Sequence, residues 1–366
     1  MIMFNIAALK VIGKIPNVRN VCTGKKGLSI AYFGSDQFSV RSLKKLVEYH
    51  RKNPGKVSSI DVITRSIKPT GRNLKTFVDV PIGEYCEREK LNIHRADSSH
   101  DIMNILSKSQ FNLAIAVSYG KLIPEGFLNS MKYGGLNVHP SLLPKYSGSS
   151  PLQYALMNDD SFTGVTIQTL HPSKFDKGDI ILQSDPIPIE ETDNHDSLQK
   201  KLGEYGSNLL LNVVDNRLFE LPRETKNNCY AFSLASKIKP VQSEIRWDLL
   251  TSRKIKRLND ALGQLHSYKY CDIRKKKKEI KENQKVIFND IELTNDYAEE
   301  LLQPGEFVLS RNKNKLIVKT IDGAISIGKL KFQYCGEEDP KTFMNYLTKR
   351  SGNTSRMFVS HSQIQV

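Results

Sequence analysis

The 366-residue chain holds only five cysteines, Cys22, Cys86, Cys229, Cys271 and Cys335, and no two of them form a C-x-x-C pair. A scattered, odd-numbered set argues against a disulfide framework and supplies no zinc-ligand spacing, so a reducing compartment and metal-free chemistry are expected. No apolar run approaches the roughly 20 residues that span a bilayer, so no membrane role is expected. The fingerprint G-x-G-x-x-G is also missing. After the first strand-like run, "FGSDQFS" has the single glycine Gly34, which argues against a dinucleotide cradled on a helix start.

Acid is absent from the leader. Residues 1–30 hold five Lys or Arg and no Asp or Glu, and the first acid is Asp36. Residues 31–215 carry 21 of each sign, and residues 216–366 carry 28 basic against 18 acidic, which places the formal net charge of +15 in the leader and the tail. A neutral segment beside a basic one suggests chemistry in the first and attraction of a polyanion by the second. In residues 1–27, Lys10, Lys14 and Arg19 are interleaved with apolar residues, whereas a secretory signal puts its charge first. The leader reads as an amphipathic organellar targeting segment or as a disordered basic arm.

From Gly27 onward, short apolar runs alternate with helical ones. "LSIAYFG", "VSSIDVITR" and "FNLAIAVSYG" are strands, and "SVRSLKKLVEYHRK" has its apolar residues at helical spacing. Strands without alternation are buried on both faces, so the pattern predicts an α/β fold: a Rossmann-like, mostly parallel sheet covered by helices. Ligands of such a sheet bind at the carboxyl ends of its strands. Beyond a helix over 197–216 and a linker over 217–229, the runs "KVIFNDIEL", "GEFVLSR", "KLIVKT" and "AISIGKLKF" predict a smaller C-terminal β-barrel domain, OB-like, over 230–366. The predicted catalytic domain is then 28–216.

The stretch "GLNVHPSLLPKYSGSSP" ends a strand with Asn137 and His139 two residues apart, hence on one side of an extended chain. A carboxamide can bind a developing oxyanion while an imidazole handles protons. Turn chemistry at a strand end explains the same two residues. Further on, Asp176 and Asp179 bracket Gly178 in "FDKGD", where a carboxylate near His139 could orient the ring, or where both could cap a hairpin turn.

In order, N-x-H-x-S-L-L-P, "TGVTI" and D-x-G-D-I resemble the formyltransferase family that uses 10-formyltetrahydrofolate, in particular its members acting on methionyl-tRNA. The resemblance runs from residue 28 to about 250, through "IAYFGSDQFSVRSL" and "AVSYGKLIPEGFL". It implies that Asn137, His139 and Asp176 are catalytic. It further implies that Ser141, Leu142, Leu143 and Pro144, with Val117, Ser118, Tyr119 and Gly120, contact the folate, often with a cis bond before the proline. Arg72, flanked by Lys68 and Lys75, matches a basic loop that meets the acceptor end of tRNA. No metal is required, and a monomer in the mitochondrial matrix is expected. The family offers no guide to "RKKKKEIKENQ"; Lys275, Lys276, Lys277 and Lys278 are either RNA contacts or a solvated turn. Another folate-dependent formyltransferase or hydrolase, or a non-catalytic tRNA-binding factor, are the alternatives.

Overall fold

The computed structural model describes residues 27–70, 75–221, 230–275, 278–296 and 301–360. Seven strands build the first sheet: β1 (Leu28–Gly34), β2 (Val57–Thr64), β3 (Asn92–Arg95), β4 (Leu113–Val117), β5 (Gly135–His139), β6 (Thr166–Thr169) and β7 (Ile180–Gln183). They lie in the order β7-β6-β5-β4-β1-β2-β3. The pairs from β5 to β3 are parallel, and β5–β6 and β6–β7 are antiparallel. On β1, Ile30 and Tyr32 join one buried cluster while Ala31 and Phe33 join the cluster on the other side. Cover on both faces is why this strand reads as a continuous apolar run.

Helices α1 (Gln37–Lys52), α2 (Pro81–Glu89), α3 (Ser99–Ile105), α4 (Glu125–Asn129), α5 (Pro151–Met157) and α6 (His195–Asp215) connect these strands and cover the sheet. α1 starts where Asp36 accepts from the Ser39 amide and buries Phe38, Leu43, Leu46 and Val47 on one stripe. β3 escapes periodicity: "NIHR" is a half-exposed edge strand with polar side chains.

The second half contains α7 (Ser252–Leu262), β8 (Leu265–Lys275), β9 (Lys278–Thr294), β10 (Phe307–Leu309), β11 (Leu316–Lys319), β12 (Ala324–Phe332), β13 (Glu337–Glu338), α8 (Pro340–Ser351) and β14 (Phe358–Val359). The antiparallel path is β10-β11-β12-β9-β8-β14, with β13 on β12. Its ends meet, because the Phe307 amide donates to the Arg356 carbonyl at 3.0 Å and the Phe358 amide to the Gly305 carbonyl at 2.9 Å. Gly305 has φ +93°, and a Cβ there would lie 2.4 Å from the Phe358 oxygen, so the closure requires glycine. Phe307 stacks on Phe358 at 4.3 Å beside the buried Trp247 and Phe343. The β8–β9 ladder runs into the basic run as far as Lys275 opposite Lys278. Lys276 and Lys277 lie outside the described residues.

One continuous apolar cluster joins the two halves, and an ion cluster locks them. From α7, Arg257 is 4 % exposed and donates to Asp159 at 2.9 Å and to the carbonyls of Glu190 and Asp193 at 3.3 Å. Arg253 grips Asp159 and Glu191. Asp159 follows α5 with a left-handed φ of 58°. The Arg253 and Arg257 guanidiniums hold its carboxyl below the usual carboxylate range, so its contribution is complete above about pH 4 and is lost as pH falls through the lower folded value. D159N, which leaves the buried Arg257 only Asp260 at 3.4 Å as a counter-charge, is expected to cost about 1–3 kcal/mol in thermal unfolding at neutral pH. It should also flatten the acid limb of the stability profile.

Candidate active site

At the carboxyl end of β5, Asn137 and His139 point into a cavity of about 890 Å³, which Asp176 enters from the loop after β6. His139 and Asp176 are both buried, with His139 Nδ1 3.5 Å from Asp176 Oδ1. Three further donors meet that carboxylate: Asn137 Nδ2 at 3.4 Å, Gln168 Nε2 at 3.1 Å and the Gly148 amide at 2.7 Å. Asn137 and Gln168 are cross-strand partners on β5 and β6, so the pleat puts both on the face below Asp176. Asp176 itself has φ 51°, a conformation that non-glycine residues adopt mainly where the surroundings fix them.

The other ring nitrogen, His139 Nε2, lies 3.0 Å from the Tyr146 carbonyl. A carbonyl only accepts, so Nε2 is the donor there, and Nδ1 is left facing the Asp176 carboxylate. Tyr146 is also left-handed, at φ 58°. Its buried phenol donates to Asp160 at 2.8 Å and accepts from Asn158 at 2.8 Å. Burial pushes that phenol up to about 12, which keeps it a donor at neutral pH.

"KYSGSS" thus acquires a role that its residue types did not disclose. A segment arriving from the C-terminal half lies along it as an added parallel strand. The Ser147 amide donates to the Ser233 carbonyl at 2.9 Å, the Ala235 amide to the Ser147 carbonyl at 2.8 Å, and the Tyr146 amide to Ser233 Oγ at 2.9 Å. The loop that supplies the Tyr146 carbonyl to His139 and the Gly148 amide to Asp176 is therefore stitched to the interdomain connection.

Of the residues expected to contact a cofactor, Ser118, Tyr119 and Gly120 line the cavity. Ser118 and Gly120 are left-handed, at φ 49° and 75°, and turn the backbone along its wall. Val117 and Ser141, Leu142 and Leu143 are buried, and Pro144 is half-buried; none of the five is among the lining residues. Thr166 Oγ1 accepts from the Leu143 amide and donates to the Ser141 carbonyl, and the Leu143–Pro144 bond is cis. Among the expected RNA contacts, Lys68 and Lys75 sit in or beside a hairpin of residues 68–70 and 76–78. Lys68 pairs with Asp97 at 3.9 Å, and Arg72 lies outside the described residues. The hairpin's base is fixed by Arg95, which grips Asp79 at 2.7 and 2.6 Å. Sequence reasoning missed Gln168 and Asp36. Gln168 is oriented by Asp176, which leaves its Oε1 buried without a partner. Asp36 lines the cavity, and burial raises its carboxyl above the usual range. Among the described residues, no group of three His, Cys, Asp or Glu could hold a metal, and no helix is long and apolar enough to cross a membrane.

Residues 28–214 match the family model described as Formyl transferase, and residues 237–348 the one described as Formyl transferase, C-terminal domain. The chain belongs to the formyl transferase family. A relative from Saccharomyces cerevisiae, called methionyl-tRNA formyltransferase, mitochondrial, is 32 % identical over 91 % of this chain and 92 % of its own. The methionyl-tRNA formyltransferase of Caldicellulosiruptor saccharolyticus is 28 % identical over 89 % of this chain and 99 % of its own. In fold, this formyl transferase is similar to HypX from Aquifex aeolicus solved in complex with tetrahydrofolic acid, at TM-score 0.57 and 15 % identity over 88 % of this chain and 48 % of that one. An N-formyltransferase from Helicobacter canadensis superposes at TM-score 0.53 and 18 % identity, over 83 % of this chain and all (100 %) of that one.

Gly148 has φ +130°, and a Cβ there would come 2.4 Å from the Ala235 carbonyl oxygen. Gly148→Ala should displace the segment around Ala235 from the loop and lower kcat for formyl transfer, on the order of 100-fold for an ångström of misplacement. Comparison of kcat with the thermal midpoint tests this, since a globally destabilised protein would lose both together.

Proposed function

We propose that the chain transfers the formyl group of 10-formyltetrahydrofolate to the α-amino group of methionyl-tRNA, in the mitochondrial matrix, to supply formylmethionyl-tRNA for translation initiation. The observation that carries this reading is the convergence of Asn137, His139 and Asp176 in one cavity of about 890 Å³, a volume suited to a folate-sized ligand. Full-length similarity to a mitochondrial methionyl-tRNA formyltransferase supports the choice of acceptor and the compartment. The chain is taken to act as a monomer.

In this mechanism the neutral amine attacks the formyl carbon, and the bond from that carbon to N10 of the folate breaks. Negative charge gathers on the formyl oxygen, where the Asn137 carboxamide donates. Because Nε2 is tied to Tyr146, His139 Nδ1 handles the proton that leaves the amine and reaches N10, with Asp176 stabilising the charged ring. The formyl group on a folate nitrogen is already activated, so the reaction needs no metal.

Incubation with 10-formyltetrahydrofolate and methionyl-tRNA, glycinamide ribotide, an amino-sugar nucleotide or water alone should yield product only with the tRNA. His139→Ala is expected to slow that transfer by about 10²- to 10⁴-fold while folate binding stays measurable. Near-normal turnover would refute the role of His139. Changing Lys275, Lys276, Lys277 and Lys278 to Gln should lower the slope of log affinity for tRNA against log salt by up to about 0.9 per lost phosphate contact. An unchanged slope would mark the run as a solvated turn.

A further inference from the structure

The segment 232–236, which stitches the Ser147 loop, also supplies side chains to the cavity. In an extended segment alternate residues face opposite ways. Ser233 and Ala235 bond to the loop, whereas Phe232, Leu234 and Ser236 line the cavity. Phe232 and Leu234 are 57 % and 62 % exposed, and Phe175, which precedes Asp176, is 56 % exposed in the same cavity. Single exposed apolar residues are ordinary, but three from two separate segments at the rim of a reaction centre form a patch that calls for a partner. Lys177 Nζ sits 4.4 Å over one face of the Phe232 ring. Lys174 and Lys177 flank Phe175 and Asp176 in sequence.

We propose that Phe232, Leu234 and Phe175, with Lys177, form the subsite for the terminal nucleoside of the aminoacyl acceptor end, its base stacked on Phe232. The proposal rests on the transfer reaction above. Once the amine lies beside Asn137 and His139, only the amino acid's α-carbon and ester separate it from the terminal ribose. The base must therefore lie at the rim of the same cavity. Aromatic rings accept any base by stacking, and neighbouring lysines neutralise its phosphate. The competing occupant is the aminobenzoyl ring of the folate.

The test uses the full chain with Phe232 changed to Ala or Trp, exposed positions whose substitution leaves the core untouched. F232A is expected to raise KM for methionyl-tRNA roughly tenfold, with kcat and the KM for 10-formyltetrahydrofolate unchanged, and F232W to restore it. As competitive inhibitors, 3′-methionyl-adenosine should weaken in F232A by the same factor, while methionine methyl ester should not. A penalty on the folate KM would assign the ring to the folate and overturn the proposal. An unchanged KM for tRNA, or equal weakening of both inhibitors, would also overturn it. Wild-type protein inert toward methionyl-tRNA would instead overturn the transfer reading, and the subsite with it.

Discussion

The buried carboxylate of Asp176 is the constraint around which the site is built. A charge out of contact with water is tolerated only when donors surround it. Here Asn137, Gln168 and the Gly148 amide donate, with His139 alongside. Each donor comes from a different part of the chain, so satisfying one carboxylate fixes the β5–β6 pairing, the loop after Pro144 and the left-handed backbone at Asp176 itself. The same contacts leave the Asn137 carboxamide and His139 Nδ1 at the cavity wall, where a reacting formyl group would meet them.

That loop is not self-supporting. Its outer edge is completed by Ser233 to Ala235, more than 80 residues away in sequence. Two anchors thereby connect the halves: the ion cluster of Arg253 and Arg257 on Asp159 fixes α7 to the end of α5, and residues 233–235 fix the loop beside the cavity. Movement of the C-terminal half would reach His139 through the Tyr146 carbonyl and Asp176 through the Gly148 amide.

Much of this was legible in the sequence. Runs without alternation announced a sheet buried on both faces, and the two-residue spacing put Asn137 and His139 on one side. Other features were not legible, for identifiable reasons. β3 is a polar edge strand with little apolar face to show. β8 was hidden because the exposed charges of Asp272 and Arg274 interrupt its apolar pattern, and its pairing with β9 is set by the ladder, not by hydrophobicity. For Ser141 to Pro144 the sequence did not show that Leu142 and Leu143 are buried or that Thr166 ties the turn. "KYSGSS" could not be assigned because its partner, Ser233 to Ala235, has no pattern that betrays so distant a pairing. Gln168 carries no motif, and only its strand register beside Asn137 gives it meaning.

The charge division along the chain takes on a narrower sense in this light. A basic tail tethered by a free linker would only raise the local concentration of a polyanion. Here the segment that enters the basic half is itself part of the cavity wall, with Phe232 and Leu234 on the cavity side and hydrogen bonds to the Ser147 loop on the other. The cavity wall is therefore complete only when the segment that leads into the basic half is in place.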